Sequence, residues 1–258
     1  TTKISICQLS TFPIESETMP DIFIDHKLVL MHNPKCGSRN LRAISRQLLN
    51  QKPSTYIGAL NDNQLLMINR KGQHRTLKNV IKEPTSKELD YTWEHCSVLG
   101  IYKLFERFKI DPTGFKFLYV IRHPQERLMS GYRYDLKREF IAPETTFPNY
   151  ILHNHTIEGA MPLNTHPIER FSINPSGESQ IDYLVKLEDF EAGVRKALAD
   201  FEFNLDAVNF DAWRHSSADF KLPEAISYTP EELDFIKELW AEDFQRGEYD
   251  LKSDYVFK

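Results

Sequence analysis

Two short segments of the sequence combine residue types that can hold a phosphate or sulfate group. The first is Pro34–Ser38 (PKCGS), which lies between an apolar run and a stretch with helical spacing. Lys35 supplies a mobile cation, Ser38 a hydroxyl donor, and Gly37 lets the backbone approach an anion closely. The first amides of the following helix have no intrahelical partner, and the helix dipole adds positive potential there. The segment therefore indicates a site for a terminal phosphate or sulfate, with an ordinary turn before a helix as the alternative.

The second segment, Arg122–Tyr132 (RHPQERLMSGY), follows the clearest strand-like run in the sequence. An arginine can hold a phosphate through two parallel hydrogen bonds, and Arg122 lies where that strand ends. Ser130, eight residues later in a predicted helix, offers a further hydroxyl donor. Arg127 has a simpler interpretation, as the partner of Glu126 or of another nearby acid. The segment indicates a second contact for phosphate.

The elements that must position these segments are strands that alternate with helices. Apolar runs at residues 26–32, 115–121 and 181–187 predict strands, and each run is followed by a helix-compatible stretch. This alternation predicts an α/β fold with a central, mostly parallel sheet and helices on both of its faces. A last helix is predicted to begin at Thr229, because Pro230 and two acids follow it in the first turn.

Two long polar stretches do not fit this alternation. Residues 51–92 and 139–178 are rich in Pro and Asn and are too long for plain connections. Loops of this size in a compact domain usually act as lids or binding loops, so we expect both to recognise the acceptor of the reaction. Because the chain contains no repeats and no Gly/Ser linkers, residues 1–258 are predicted to form a single domain.

Charge and composition exclude several classes of protein. The net charge of −5 argues against a general nucleic-acid binder, which usually needs a basic surface. None of the three cysteines has CxxC spacing, so we expect a fold without a disulfide framework. No apolar run reaches the roughly 18–20 residues of a membrane span, and the first residues lack the pattern of a secretory signal. We therefore expect a soluble, cytoplasmic protein, from which an N-terminal segment could have been removed.

Together, the two phosphate-type segments resemble motifs of the sulfotransferases that use 3′-phosphoadenosine 5′-phosphosulfate as donor. PKCGS resembles their 5′-phosphosulfate loop, and RHPQERLMSGY resembles their 3′-phosphate motif, usually written RDPxxRxxSxY. His123 stands where that motif has Asp, whereas the phosphate-holding Arg122 and Ser130 are present. Residues 182–190 and 226–250 are similar to later segments of the family, the second to the ending common in carbohydrate-type (Golgi) sulfotransferases.

This resemblance implies a three-layer fold similar to P-loop NTPases and an in-line transfer of a sulfuryl group to a hydroxyl of a carbohydrate or small natural product. The donor is then a co-substrate, and no metal is required. Lys35 is implied to contact the bridging or sulfuryl oxygens, and Ser38, with the amides of residues 36–39, to hold the 5′-phosphate. Arg39 would add charge there or lie solvated on the helix surface. The residues expected to bind the donor are Pro34, Lys35, Cys36, Gly37, Ser38, Arg39, Arg122, Ser130 and Arg214.

The resemblance also implies a general base, for which His95 and Glu94 are the candidates. The family often carries its base between the two motifs, where this pair lies. Histidine titrates near neutrality, which suits proton transfer from a hydroxyl. Some relatives use a carboxylate instead, which keeps Glu94 as the alternative, and a purely structural role is the other interpretation of His95.

Several further residues have less specific interpretations. Arg214 follows Trp213 where relatives place a segment near the nucleotide, and it could pair with the 3′-phosphate, whereas core packing is the alternative for the pair. The HxH spacing of His153 and His155 could bind zinc, but the neighbouring sequence offers no further ligand set. We interpret these histidines and His166 as surface residues of a binding loop.

Two other functions are alternatives to sulfuryl transfer. A kinase or other phosphotransferase with an atypical P-loop would need a magnesium-binding Ser or Thr after a Gly-Lys pair and an acidic strand end, and neither is evident. A nucleotide-binding module without activity would be expected to lose Lys35, Arg122 or Ser130, and all three are present.

Overall fold

The computed structural model describes residues 20–51, 54–61, 64–69, 74–78, 96–153, 166–211, 226–253 and 256–257. The contacts among them divide the chain into two compact units. The first unit comprises the described residues within Thr1–Asn33, Gly37–Val120 and Phe171–Arg214. The second comprises those within Pro34–Cys36, Ile121–Arg170 and His215–Lys258. Each unit is therefore assembled from segments that are distant in sequence.

Nine strands and eight α-helices are present in the part of the chain that the structure describes. The strands are β1 (Asp21–Phe23), β2 (Leu28–Met31), β3 (Tyr56–Asn61), β4 (Gln64–Ile68), β5 (His74–Lys78), β6 (Lys116–Ile121), β7 (Tyr183–Lys186), β8 (Ile226–Ser227) and β9 (Val256–Phe257). The helices are α1 (Ser38–Gln51), α2 (Val98–Phe108), α3 (Pro124–Lys137), α4 (Phe147–His153), α5 (Glu169–Ser172), α6 (Phe190–Leu198), α7 (Pro230–Leu239) and α8 (Ala241–Gly247). Strands β2, β6 and β7, followed by α1, α3 and α6, confirm the three predicted strand–helix pairs.

Seven strands form one sheet in the order β5-β4-β3-β1-β2-β6-β7. Strands β2 and β6 are parallel, with Met31 opposite Tyr119. Strand β1 is antiparallel to β2 and β3, and β4 is antiparallel to β3 and β5. The α/β class is confirmed, but the prediction of a mostly parallel sheet is wrong. Three of the antiparallel pairs, β1–β2, β3–β4 and β4–β5, are joined by only a few residues, whereas a parallel pair needs a crossover of about a dozen residues or more.

Strands β3, β4 and β5 lie within residues 51–92, which the sequence analysis interprets as a long loop. The described part of that stretch is instead a three-stranded antiparallel meander. Its hairpin signal is two apolar runs, at residues 56–60 and 65–68, separated by Asn-Asp-Asn-Gln. The polar residues around these short runs conceal the pattern.

A buried polar network in the first unit ties β1, β2 and α1 together just before residue 34. His32 Nε2 lies 3.1 Å from Asp21 Oδ2, and Arg42 Nη2 lies 3.3 Å from His32 Nδ1. Because a guanidinium can only donate, Nδ1 is the acceptor and Nε2 carries the proton that faces Asp21. Burial lowers the pKa of His32, which keeps its ring neutral at physiological pH. The network fixes the strand end and the helix that flank the PKCGS segment.

The second unit is built around α3, α4 and α7. Its core is a cluster of large apolar and aromatic side chains: Leu128, Met129, Tyr132, Ile141, Phe147, Tyr150, Ile151, Tyr228, Ile236 and Trp240. A capping box starts α7 as predicted, since Glu232 N donates to Thr229 Oγ1 and Thr229 N donates to Glu232 Oε2. None of the helices in the described ranges is long and apolar enough to cross a membrane.

Candidate functional site

The segment between β2 and α1 has an unusual backbone. Lys35 and Gly37 have φ angles of +60° and +79°, whereas Cys36 between them is outside the left-handed region. Such alternation lets successive backbone N–H groups point toward a common anion. The helix begins directly afterwards, with Leu41 N donating to Gly37 O at 3.1 Å, and Ser38 Oγ donates to the carbonyl of Asn33 at 3.3 Å. This geometry is suited to binding an anion at the start of α1.

The remaining residues of this segment differ in exposure. Pro34 and Cys36 are buried, whereas Ser38 and Arg39 are half-buried in the first turn of α1. Gly37 is packed closely enough that an added Cβ would lie 2.6 Å from Cδ1 of Leu187. Both the φ angle and this packing explain why the position carries a glycine.

Lys35 extends toward α3. Its Nζ lies 3.8 Å from the ring centroid of Tyr134, a separation typical of a cation–π contact. Burial is the main cause that lowers the Lys35 pKa to about 8, and the guanidinium groups of Arg122 and Arg138 lower it further, whereas the carboxylate of Asp135 raises it. Lys35 and Arg122 are therefore electrostatic neighbours within the second unit. The two cations on which the sequence interpretation depends thus lie in the same unit, and the charge of Arg122 acts on the Lys35 ammonium.

Arg122 follows β6 directly and is only partly buried. Its Nη2 donates to Glu126 Oε2 at 3.3 Å, one helical turn later. An exposed pair of this kind contributes little free energy, about 0.3–0.5 kcal/mol. An incoming phosphate can therefore replace Glu126 as the partner of Arg122 at small cost.

His123, the departure from the usual motif, holds the C-terminal part of the second unit. Its Nε2 donates to the carbonyl of Asp250 at 2.9 Å, and its ring packs against Phe244 and Tyr249. Gln125, two residues later, exchanges two hydrogen bonds with the backbone of Lys252. His123 therefore has a structural role in the second unit, and its substitution for the usual Asp does not remove Arg122 from the motif.

Arg127 and Ser130 lie on α3 and are both buried. Arg127 Nε donates to the carbonyl of Pro34 at 3.0 Å, and its Nη1 lies 3.5 Å from Asp243 Oδ1. Arg127 therefore pairs with an acid, as predicted, but with the distant Asp243, whereas Glu126 pairs with Arg122. Sequence analysis missed Asp243 because 116 positions separate it from Arg127. By donating to the carbonyl of Pro34, the Arg127 guanidinium stabilises the backbone next to Lys35.

Tyr134 and Asp135 are also absent from the sequence interpretation. The available signal is helical spacing, because Tyr134 lies four residues after Ser130, and Asp135 four residues after residue 131 on the neighbouring row of α3. Following this spacing beyond Ser130 would have placed an aromatic ring and a carboxylate near the anion-binding residues.

Three predicted site residues, Glu94, His95 and Arg214, lie outside the described residues, as does His155. His166 is half-buried and accepts a hydrogen bond from Arg170 Nη1 at 3.1 Å. Its burial and the nearby Arg127 guanidinium lower its pKa to about 4, so the ring is neutral at physiological pH. Within the described ranges, no group of three or more His, Cys, Asp or Glu side chains is arranged to hold a metal ion.

Comparison with known proteins agrees with this arrangement. The model of the Sulfotransferase family matches residues 21–250. No curated protein and no solved structure matches the chain. The matched region contains the PKCGS loop, Arg122, Arg127 and all of α3. This match spans most of the sequence, and the chain therefore belongs to the Sulfotransferase family.

Proposed function

We propose that this protein transfers a sulfuryl group from 3′-phosphoadenosine 5′-phosphosulfate to a hydroxyl acceptor. The observation that carries the proposal is the proximity of Lys35, in the left-handed turn after β2, to Arg122 at the end of β6. Strands β2 and β6 are parallel neighbours, so both residues follow the carboxyl end of a strand at the same edge of the sheet. Two cations in this relation are suited to gripping the two phosphorylated ends of one nucleotide.

The loop at residues 34–39 would hold the 5′-phosphosulfate in a manner similar to a P-loop. Backbone amides of this loop and the hydroxyl of Ser38 would donate to the 5′-phosphate. Lys35 would contact the bridging or sulfuryl oxygens, where negative charge grows as the bond from sulfur to the 5′-phosphate breaks. Arg122 and Ser130 would hold the 3′-phosphate, with Arg214 as a further candidate.

The reaction also needs a group that accepts the hydroxyl proton. The acceptor oxygen attacks sulfur in line, the bond to the 5′-phosphate oxygen breaks, and the proton passes to a base. His95 is the proposed base and Glu94 its alternative, on the strength of the family resemblance. The products are a sulfate ester and 3′-phosphoadenosine 5′-phosphate, and no step requires a metal ion.

The acceptor is proposed to be a carbohydrate or a small natural product. The family resemblance of residues 226–250 to carbohydrate-type enzymes supports a sugar hydroxyl. Residues 139–178, which include α4 and α5, are the proposed acceptor-binding segment. The acidic balance of the chain argues against a long polyanionic acceptor, because such a ligand favours a basic cleft.

Replacing Arg122 by alanine should test the nucleotide assignment directly. We expect the affinity for 3′-phosphoadenosine 5′-phosphate to fall about tenfold to hundredfold, since hydrogen bonds to a charged group are lost. The affinity for adenosine 5′-phosphosulfate, which lacks the 3′-phosphate, should change little. Isothermal titration calorimetry with both nucleotides measures the difference. Glu126→Gln is the matched control, because it removes the helical partner of Arg122 and keeps the guanidinium, so tight binding should persist.

An equal loss of affinity for both nucleotides in the Arg122→Ala protein would contradict the 3′-phosphate assignment. A thermal-shift comparison should also show stabilisation by 3′-phosphoadenosine 5′-phosphate well above that by ATP. A larger shift with ATP and magnesium would instead favour a phosphotransferase.

Gly37→Ala should separate the role of the loop in binding from its role in folding. The left-handed backbone at Gly37 predicts a loss of about 1–2 kcal/mol in the free energy of unfolding for any residue with a Cβ. Gly177→Ala is the matched control, because its φ is +82° and an added Cβ would have no neighbour within 4 Å. Urea unfolding should show a loss for both variants, larger for Gly37→Ala because its Cβ would also displace Leu187, whereas only Gly37→Ala should weaken nucleotide binding. A similar loss of binding in both would show that the loop is not the phosphate site.

A further inference from the structure

The ring of Tyr134 carries two cations. Lys35 Nζ lies 3.8 Å from its centroid and the Arg138 guanidinium carbon lies 5.6 Å from it. The ring is half-buried, and the Phe140 ring packs against it in a T-shaped arrangement at 6.1 Å. An aromatic face attracts a cation, and more strongly the further the pair is removed from water. The face of the Tyr134 ring is therefore positioned to bind the Lys35 ammonium.

Asp135, the next residue of α3, supplies a negative charge that acts on the Lys35 ammonium. Its side chain is fully buried, and Oδ2 accepts a hydrogen bond from Tyr150 at 3.0 Å, whose side chain is also buried. A buried carboxylate is costly unless hydrogen bonds and an opposite charge compensate it. Tyr150 provides the first of these compensations, and Lys35 provides the second. The Asp135 carboxylate therefore favours the protonated form of Lys35.

Lys35 also has a left-handed backbone conformation, which its surroundings must stabilise. The left-handed φ of +60° is unfavourable for a lysine, and such strain persists only where the surroundings fix it. The contacts that the side chain makes with α3 offset that cost and fix the direction in which the side chain leaves the loop.

We propose that Tyr134 and Asp135 are positioning residues for Lys35, the ring through its π-face and the carboxylate through its charge. The functional consequence of this inference rests on the proposed sulfuryl transfer, whereas the contacts of Lys35 are independent of that proposal. Both residues lie beyond the Arg122–Tyr132 motif. They keep the ammonium protonated and directed, although the guanidinium groups of Arg122 and Arg138 repel it.

The charged groups around Lys35 define the expected pH dependence. Asp135 on α3 and Cys36 in the loop raise the Lys35 pKa, whereas burial, Arg122 and Arg138 lower it, and the result is a value of about 8. The protonated form is therefore lost as pH rises through about 8. Removing the Asp135 charge should move this loss to lower pH by about one unit or more, the usual effect of an opposite charge at close range.

The first measurement does not depend on turnover. Acetic anhydride modifies only neutral amines, so the rate of Lys35 acetylation as a function of pH, followed by mass spectrometry, reports the Lys35 pKa. We expect the midpoint to move down by about one unit or more in Asp135→Asn. Circular dichroism verifies that the variant folds. An unchanged midpoint in a folded Asp135→Asn protein would overturn the role of the carboxylate.

The second measurement uses Tyr134, where the side chain is only half-buried and replacement is less disruptive. Tyr134→Leu should lower kcat by about 3- to 30-fold, with a smaller change in the affinity for 3′-phosphoadenosine 5′-phosphate. Tyr134→Phe keeps the aromatic face and should retain most of the turnover. Equal effects of leucine and phenylalanine would overturn the role of the ring. If the wild-type protein neither binds this nucleotide nor transfers a sulfuryl group, the proposed function fails, while the acetylation result still decides the positioning of Lys35.

Discussion

Replacing Lys35 by alanine should lower the turnover of sulfuryl transfer by about 10²–10³-fold, the usual cost of removing one preorganised donor to a developing anion. The departing 5′-phosphate gains negative charge in the transition state, so the Lys35 ammonium interacts with it more strongly there than in the ground state. The affinity for 3′-phosphoadenosine 5′-phosphate should therefore fall much less, by about tenfold or less. Single-turnover kinetics with labelled donor, together with calorimetry, separate the two effects.

The matched control for this prediction is Lys137→Ala. Lys137 lies in the last turn of α3 and is exposed, so its removal changes the net charge equally without touching the loop. Its turnover should stay at the wild-type level. If Lys35→Ala also turns over at nearly that level, Lys35 does not stabilise the leaving group, and the proposed chemistry must use another cation.

The parts of the site that sequence analysis predicts are those set by local pattern. The apolar runs at residues 26–32 and 115–121 contain β2 and β6, and the turn residues after each run indicate anion binding. The family match at residues 21–250 agrees with the order of these motifs. Strand, turn and helix signals are all contained within about a dozen residues, so a single sequence carries them.

The parts that sequence analysis misses depend on pairing between distant residues or on short elements. Strands β3 to β5 are concealed because five or six residues with polar flanks resemble a loop, and their antiparallel pairing follows from turns of few residues. The partner of Arg127 is missed because the sequence places Glu126 directly beside it, whereas Asp243 lies 116 positions away. Likewise, the contact of Lys35 with Tyr134 joins residues that are 99 positions apart. These contacts form only in the folded chain, so no local sequence pattern predicts them.

Arg127→Ala should lower the free energy of unfolding by about 3–5 kcal/mol, as expected when one partner of a buried ion pair is removed. Arg127 and Asp243 are 2% and 1% exposed, and without the guanidinium the carboxylate stays buried without that opposite charge. The carbonyl of Pro34 also loses its donor. Arg122→Ala, five positions earlier, removes only a partly exposed helical pair and should cost less than about 1 kcal/mol. Urea unfolding of the two variants measures the contrast.

The loss in Arg127→Ala should also depend on pH, with a sign that follows from Asp243. Burial raises the pKa of Asp243 to about 6, against the lowering effects of Arg127 and of the Ile168 amide, which donates to Oδ2 at 2.8 Å. A raised carboxyl pKa stabilises the fold at low pH, and this contribution is lost as pH rises through the folded-state pKa. Without Arg127 that pKa moves higher, so the variant continues to lose stability above pH 6, where the wild-type contribution is already lost. The destabilisation should therefore be larger at pH 8 than at pH 5. Equal losses at both pH values, or equal losses for the two arginines, would show that Arg127 acts through packing alone and that Asp243 does not depend on it for charge.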